Sequence, residues 1–236
     1  MFNATHNMQS IFKYHRMTNS VSNVFKIIFS GNVRFILLSF PVTDTNDSKI
    51  KFEGDLRKVA TWCCENQLLI NPDKTKFMSI GTRQLMISHS VDLSVSFMGR
   101  TLTPVDSARD LGVIMDSHLT YDSHISYFVS SCLPKLVEIN RVKKSFDKEI
   151  LTLITSSLVL SKMFSCSSVW FNTSKNNIKK LQLIQNVACR IITGSQKYDH
   201  VTPLLQQLNW LSVNEMLQFR DSVMAYKCAR WSRVIF

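Results

Sequence analysis

The sequence predicts an α+β fold, in which a small antiparallel sheet with one helix is followed by a mainly helical region. Between Lys76 and Met115, short apolar segments alternate with polar residues or close on turn residues. From Leu119 onward the apolar residues recur at three- and four-residue steps. A content of 45% apolar and 10% aromatic residues supplies enough side chain for a core and excludes wholesale disorder.

Taken in order, residues 1–47 form an unassigned basic segment. Lys13, Arg16, Lys26 and Arg34 precede the first acid, Asp44. The stretch Val21 to Phe40 is rich in Val, Ile, Leu and Phe, but Lys26, Gly31, Asn32 and Arg34 interrupt it well short of the roughly 18 apolar residues of a spanning helix. The acid-free start shares its pattern with mitochondrial presequences, which makes an organelle the minor alternative for location. No amphipathic Arg-rich helix is clear, so the segment reads instead as noncoding or frameshifted sequence joined to the rest.

Residues 48–118 carry the sheet. Leu56, Val59, Ala60, Trp62 and Cys63 fall at helical spacing within Ile50 to Gln67, ahead of an Asn71-Pro72 turn. Lys76 to Ile80 reads as a strand. Leu93, Val95 and Phe97 alternate, Gly99-Arg100 turns the chain into Leu102, and a third strand is expected near Leu111 to Met115.

Residues 119–236 read as helices. Ile125, Phe128, Cys132, Leu136, Ile139 and Phe146 share one face, with Pro134 expected to kink or split the helix. Asp147 caps a second helix through Leu160. A third starts at Asn176 or Asn177, buries Ile178, Leu181, Ile184, Val187, Ala188 and Ile191, and closes at Gly194. Ser212 with Glu215 is a capping box ahead of Met216 to Tyr226.

Charge narrows the function classes. The net charge is +11, and the last 102 residues, from Lys135, hold 15 Lys or Arg against 6 Asp or Glu, which is +9 of it. Such an excess suits a polyanionic partner. The six cysteines include no C-x-x-C pair and fit reduced thiols in an intracellular compartment, cytoplasmic or nuclear. No G-x-x-x-x-G-K-S/T loop, G-x-S-x-G elbow or H-E-x-x-H helix is present. Asp116, His118, Asp122 and His124 have a ligand-like spacing, but no recognisable set of supporting residues accompanies them, and no metal is assigned.

The run Leu69 to Gln84, L-I-N-P-D-K-T-K-F-M-S-I-G-T-R-Q, followed by Ala108 to Asp116, A-R-D-L-G-V-I-M-D, resembles the end of the polymerase palm in reverse transcriptases of jockey-like non-LTR retrotransposons, the LINE elements. Lys175 to Gly194 resembles the same family's K-K-L-Q-x-x-Q-N-x-A-x-R-I-I-T-G element. The likeness runs from about Ser48 to about Trp231. It implies that residues 48–118 are a palm remnant and residues 119–236 a thumb and post-thumb region. In that family the Leu69 segment lies just downstream of a strand carrying two adjacent aspartates that hold the catalytic Mg ions. This chain has no two adjacent acidic residues. Two-metal phosphoryl transfer needs clustered carboxylates holding two ions about 3.5–4 Å apart. The chain alone is therefore expected to be an inactive, truncated relative with no cofactor of its own.

The resemblance makes Lys74 a nucleotide-proximal candidate, although a plain turn lysine is the favoured reading. It makes Leu111, Gly112 and Val113 a primer-grip-like hairpin, with Asp110 where the family usually places an aromatic. Arg141, Lys143, Lys144, Lys179, Lys180, Arg190 and Lys197 are candidates for phosphate contacts. Trp170, Tyr198 and Trp210 have faces for stacking but read better as core or hydrogen-bonded anchors. The expected partner is RNA or an RNA–DNA duplex, with no membrane and with self-association through an uncovered palm edge. The alternative is a domesticated basic helical module that binds RNA or protein without catalysis.

Overall fold

The computed structural model describes residues 23–30, 33–41, 45–68, 70–84 and 94–232, and side chains within 49–230. The chain divides into two compact units, Met1–Leu119 and Thr120–Phe236. The first is α+β and the second helical, which is the α+β class the sequence predicts.

In the first unit, β1 (Asn23–Ser30) and β2 (Val33–Pro41) form an antiparallel hairpin, and β1 also pairs antiparallel with β3 (Lys76–Ile80). The three-stranded order is β2-β1-β3. Thus residues set aside on sequence grounds supply two of the three strands. Their β-branched and aromatic content favours strands, and the intervening Gly31-Asn32 is a hairpin signal. Residues 1–22, on which the presequence reading also rests, lie outside the described residues, as does Leu93.

Helix α1 (Thr45–Glu65) follows, starting ahead of the Ile50 that periodicity suggests. It buries Phe52, Leu56 and Cys63, whereas Trp62 turns outward. Phe52 packs on Phe77 of β3 with ring centroids 5.7 Å apart, and Leu56, Val95, Phe97 and Leu102 complete this core. Full burial of each such side chain is worth about 1.5–3 kcal/mol.

Two short hairpins complete the unit. β4 (Val95–Phe97) pairs with β5 (Arg100–Leu102), and β6 (Ser107–Asp110) with β7 (Val113–Asp116). The strand expected near Leu111 to Met115 is β7, which starts at Val113 because Leu111-Gly112 make the turn of the β6–β7 hairpin. Both turns have positive φ at two successive residues, Met98 and Gly99 at 49° and 76°, Leu111 and Gly112 at 47° and 87°. That is the geometry whose twist matches paired strands. The far side of β3 is met by Pro104, which bridges to Phe77, and by the Val105 amide, which donates to the Phe77 carbonyl at 2.8 Å.

In the second unit, α2 (Asp122–Val142) buries Ile125, Phe128, Cys132, Leu136 and Ile139, as its spacing predicts. Pro134 neither ends nor splits it; the residue sits on the exposed face, where water can satisfy the freed carbonyl. Phe146, expected on that stripe, is exposed because the helix has ended by Val142. α3 (Lys148–Thr155) is capped by Asp147, whose carboxylate accepts from the Ile150 amide at 2.8 Å, and widens into a π turn over Ser156–Leu160 before a last helical turn at Ser161–Met163. A short α4 (Ser167–Trp170) leads to α5 (Lys175–Thr193), which packs along α2. α6 (Val201–Gln207) and α7 (Val213–Ser232) finish the unit. The Ser212 capping box is present, with the Ser212 amide donating to Glu215 Oε2 at 2.9 Å.

Among the described residues, no helix is long and apolar enough to cross a membrane.

Candidate nucleic-acid interface

Helix α5 is built from two kinds of polar residue. Those that face inward hold the helix to its neighbours. Asn177 is fully buried; its Nδ2 donates to Asp122 Oδ1 at 2.6 Å and to Thr173 Oγ1 at 2.8 Å, joining the start of α5 to the start of α2. Gln185, also buried, donates to the Leu211 carbonyl at 2.8 Å, while Gln182 donates to Gln185 and Asn186 and accepts from the Val213 amide at 2.9 Å. The Q-x-x-Q-N stretch is thus a clamp on the segment that starts α7. Sequence periodicity missed it because an amide reads as exposed. Val187, expected to be buried, is exposed instead, and Ile178 is half-buried. The stripe has rotated to place Asn177 and Gln185 inside.

The outward polar residues are the basic ones. Between α2 and α5 lies a groove of about 280 Å³ whose walls include Leu133, Val137 and Val187 and whose rim holds Lys143, Arg190 and Lys197. Three residues separated by up to 54 positions in sequence therefore meet at one place. Arg190 is also a tether: its Nε donates to the Gln196 carbonyl at 3.1 Å and a terminal nitrogen to the Asp199 carbonyl at 3.0 Å. The Asp199 carboxylate is turned to the Gln196 amide at 2.6 Å, which closes the loop that carries Lys197. Lys197 places its ammonium 5.8 Å from the centroid of the Tyr198 ring, and that ring is 88% exposed.

The other candidates lie apart from this groove. Lys179 is exposed and Lys180 donates to Asn177 Oδ1 at 3.4 Å, both about 16 Å up α5 from Arg190 at 1.5 Å per residue. Arg141 and Lys144 are exposed beside Lys143 at the end of α2. Trp170 is buried, with its indole donating to the Ser165 carbonyl at 3.1 Å, so it anchors the fold and offers no stacking face.

In the first unit, Lys74 stands exposed on a 3₁₀ turn, Pro72–Lys74, capped by Asn71, whose side chain accepts from the Asp73 amide at 2.9 Å. Arg100 pairs with the neighbouring Asp73. Leu111 and Gly112 form the tip of the β6–β7 hairpin, with Leu111 well exposed and Val113 buried.

The four residues with ligand-like spacing make local contacts. His118 Nδ1 lies 3.1 Å from the Gly81 carbonyl, the Asp116 carboxylate accepts from the His118 amide at 3.1 Å, Asp122 accepts from Asn177 Nδ2, and the His124 ring is tilted by 55° against Trp170 with centroids 6.1 Å apart. The strands that share a sheet with β3 do not fit the Mg ions expected from the resemblance. β1 reads NVFKIIFS and β2 VRFILLSFP, so the hairpin immediately upstream of the palm-like segment bears Lys26 and Arg34 and no carboxylate.

The chain thus has an α+β unit and a basic helical unit, and its palm-like motifs are matched by a likeness to known proteins. The chain is 24% identical over 192 residues to a probable RNA-directed DNA polymerase from transposon BS of Drosophila melanogaster, covering 79% of this chain and 21% of that protein. It is 27% identical over 122 residues to a probable RNA-directed DNA polymerase from transposon X-element of the same organism, covering 50% of this chain and 13% of that protein. The chain is thus homologous to part of the RNA-directed DNA polymerases of transposons, and it spans about a fifth of the length of the first relative. No protein-family model matches it, and no solved structure does.

Proposed function

We propose that this chain is a non-catalytic part of a jockey-like LINE reverse transcriptase whose helical unit binds RNA or an RNA–DNA duplex, weakly and without regard to sequence. The observation that carries this is the convergence of Lys143, Arg190 and Lys197 on one groove, in a chain similar to part of a probable RNA-directed DNA polymerase. Cations gathered at one place neutralise several phosphates of one strand and release their counterions, which gives binding that weakens as salt rises. The strand pair beside β3 has no carboxylate to hold two metal ions, so nucleotide addition would require clustered acidic residues that these strands lack. The contribution of the chain is grip.

Binding of a labelled RNA–DNA duplex and of a single-stranded RNA at low and moderate salt tests the proposal. Affinity should fall steeply with salt, and replacing Lys143, Lys144 and Lys197 by Ala should weaken it and flatten the salt slope by about one for each phosphate no longer neutralised. These lysines are preferable to Arg190 and Lys180, whose side chains hold the fold as well. Absence of any binding by the folded chain at low salt would refute the reading.

A further inference from the structure

The groove between α2 and α5 is more apolar than a surface that meets only phosphates requires. Leu133 and Val137 of α2, one helical turn apart, and Val187 of α5 stay exposed on its walls, off the buried stripes of their helices. A duplex turns its phosphates outward and keeps its bases stacked inside. Docked here it would meet the lysines and leave the aliphatic walls in water. An unpaired nucleotide presents both halves of the match, an anionic backbone and a bare, flat, weakly polar base.

Resting on the reading that the helical unit binds nucleic acid, we infer that the α2–α5 groove takes an unpaired nucleotide of a single strand. The base lies against Leu133, Val137 and Val187, and the flanking phosphates meet Lys143 and Lys197. A space of about 280 Å³ suits a base or two and is far too small for a helix. Asn140, also on the groove, offers a donor and an acceptor to a base edge, so no base is excluded; Ser195, whose hydroxyl is shared with Thr193 Oγ1 at 2.7 Å, adds an acceptor. Tyr198 adds a second platform: its ring is almost bare, and the Lys197 ammonium beside it ties charge and aromatic face together, the pairing that single-strand grooves use. The rim charge complements this occupant, and the carboxylate of Asp199, on the loop that carries Lys197, is engaged by the Gln196 amide.

Fluorescence anisotropy with the full chain separates the possibilities, using a short oligouridylate, the same backbone with abasic positions, and an RNA–DNA duplex of equal length. The single strand should bind about tenfold more tightly than the duplex, as stacking on one platform allows. The abasic strand should fall to the duplex level. Tyr198→Ala, an exposed change that leaves the core alone, should weaken the single strand several-fold and the duplex not at all. Val137→Asp should erase the preference, with its helicity checked by circular dichroism. Equal affinity for single strand and duplex, or an abasic strand bound as tightly as the intact one, overturns the inference and leaves phosphate binding standing. Failure to bind any of the three at low salt overturns the nucleic-acid reading and this inference with it.

Discussion

At the scale of single residues, Arg190 shows how one side chain serves two ends. Its charge faces the groove while its nitrogens hold the carbonyls of Gln196 and Asp199. Arg190→Ala should therefore cost stability as well as binding, about 1–2 kcal/mol in a urea titration for hydrogen bonds at a partly exposed site. Arg190→Lys keeps the charge but not the fork, and should recover less than half of that loss. Leu111 is the opposite case, an exposed leucine held at positive φ on a hairpin tip. Leu111→Asn or Leu111→Gly should stabilise the chain by up to about 1 kcal/mol, read as a higher unfolding midpoint. The thiols of Cys132 and Cys189 are pushed up to about 11 from 9.0, chiefly by burial. Because the unfolded thiols lose their protons first, the folded state binds more protons between these values, and stability should fall as pH rises from about 9 to 11. The exposed Cys64 should be alkylated far sooner than either.

At the scale of elements, the start of α5 is fixed by a buried amide rather than by apolar contact. Asn177→Ala would leave the Asp122 carboxylate without its partner and should lower stability by about 1–3 kcal/mol, with the loosening localised by amide exchange to the starts of α2 and α5. Much of the element map was legible in the sequence because it rests on period and caps: β3, the face of α2, the Asp147 and Ser212 caps and Gly194 at the end of α5 all follow from local chemistry. What escaped was burial of polar groups. Asn177 and Gln185 look like surface residues until tertiary partners satisfy them, and nothing local announces those partners. The basic residues of the groove were legible one by one. Their meeting was not, since it depends on how α2 lies along α5 and on the loop that Arg190 ties down. One signal was available and unused: Leu133 and Val137 are a pair of aliphatics off the stripe of α2, which marks a second apolar face.

At the scale of the whole molecule, the described residues fall into two compact units, each with buried apolar residues of its own. Phe52, Phe77 and Phe97 belong to the first, and Ile125, Leu136, Leu181 and Ile184 to the second. A polypeptide beginning at Thr120 should therefore fold by itself, retain the circular dichroism of a helical protein and keep the salt-dependent binding of the full chain. Loss of helicity in that piece would show that its core is not self-sufficient. The sheet of the first unit has a different consequence. Motif likeness begins near Ser48, yet β3 shares its ladder with β1, from the stretch that looks unrelated. The strand pairing thus reaches beyond the stretch whose motifs carry the resemblance. Whatever the origin of residues 23–41, trimming the chain to its recognisable part would strip the partner from five consecutive residues of β3 and leave a raw edge ready to join any other strand, including its own copy. Residues 23–41 thus cover an edge of β3 that their removal would expose.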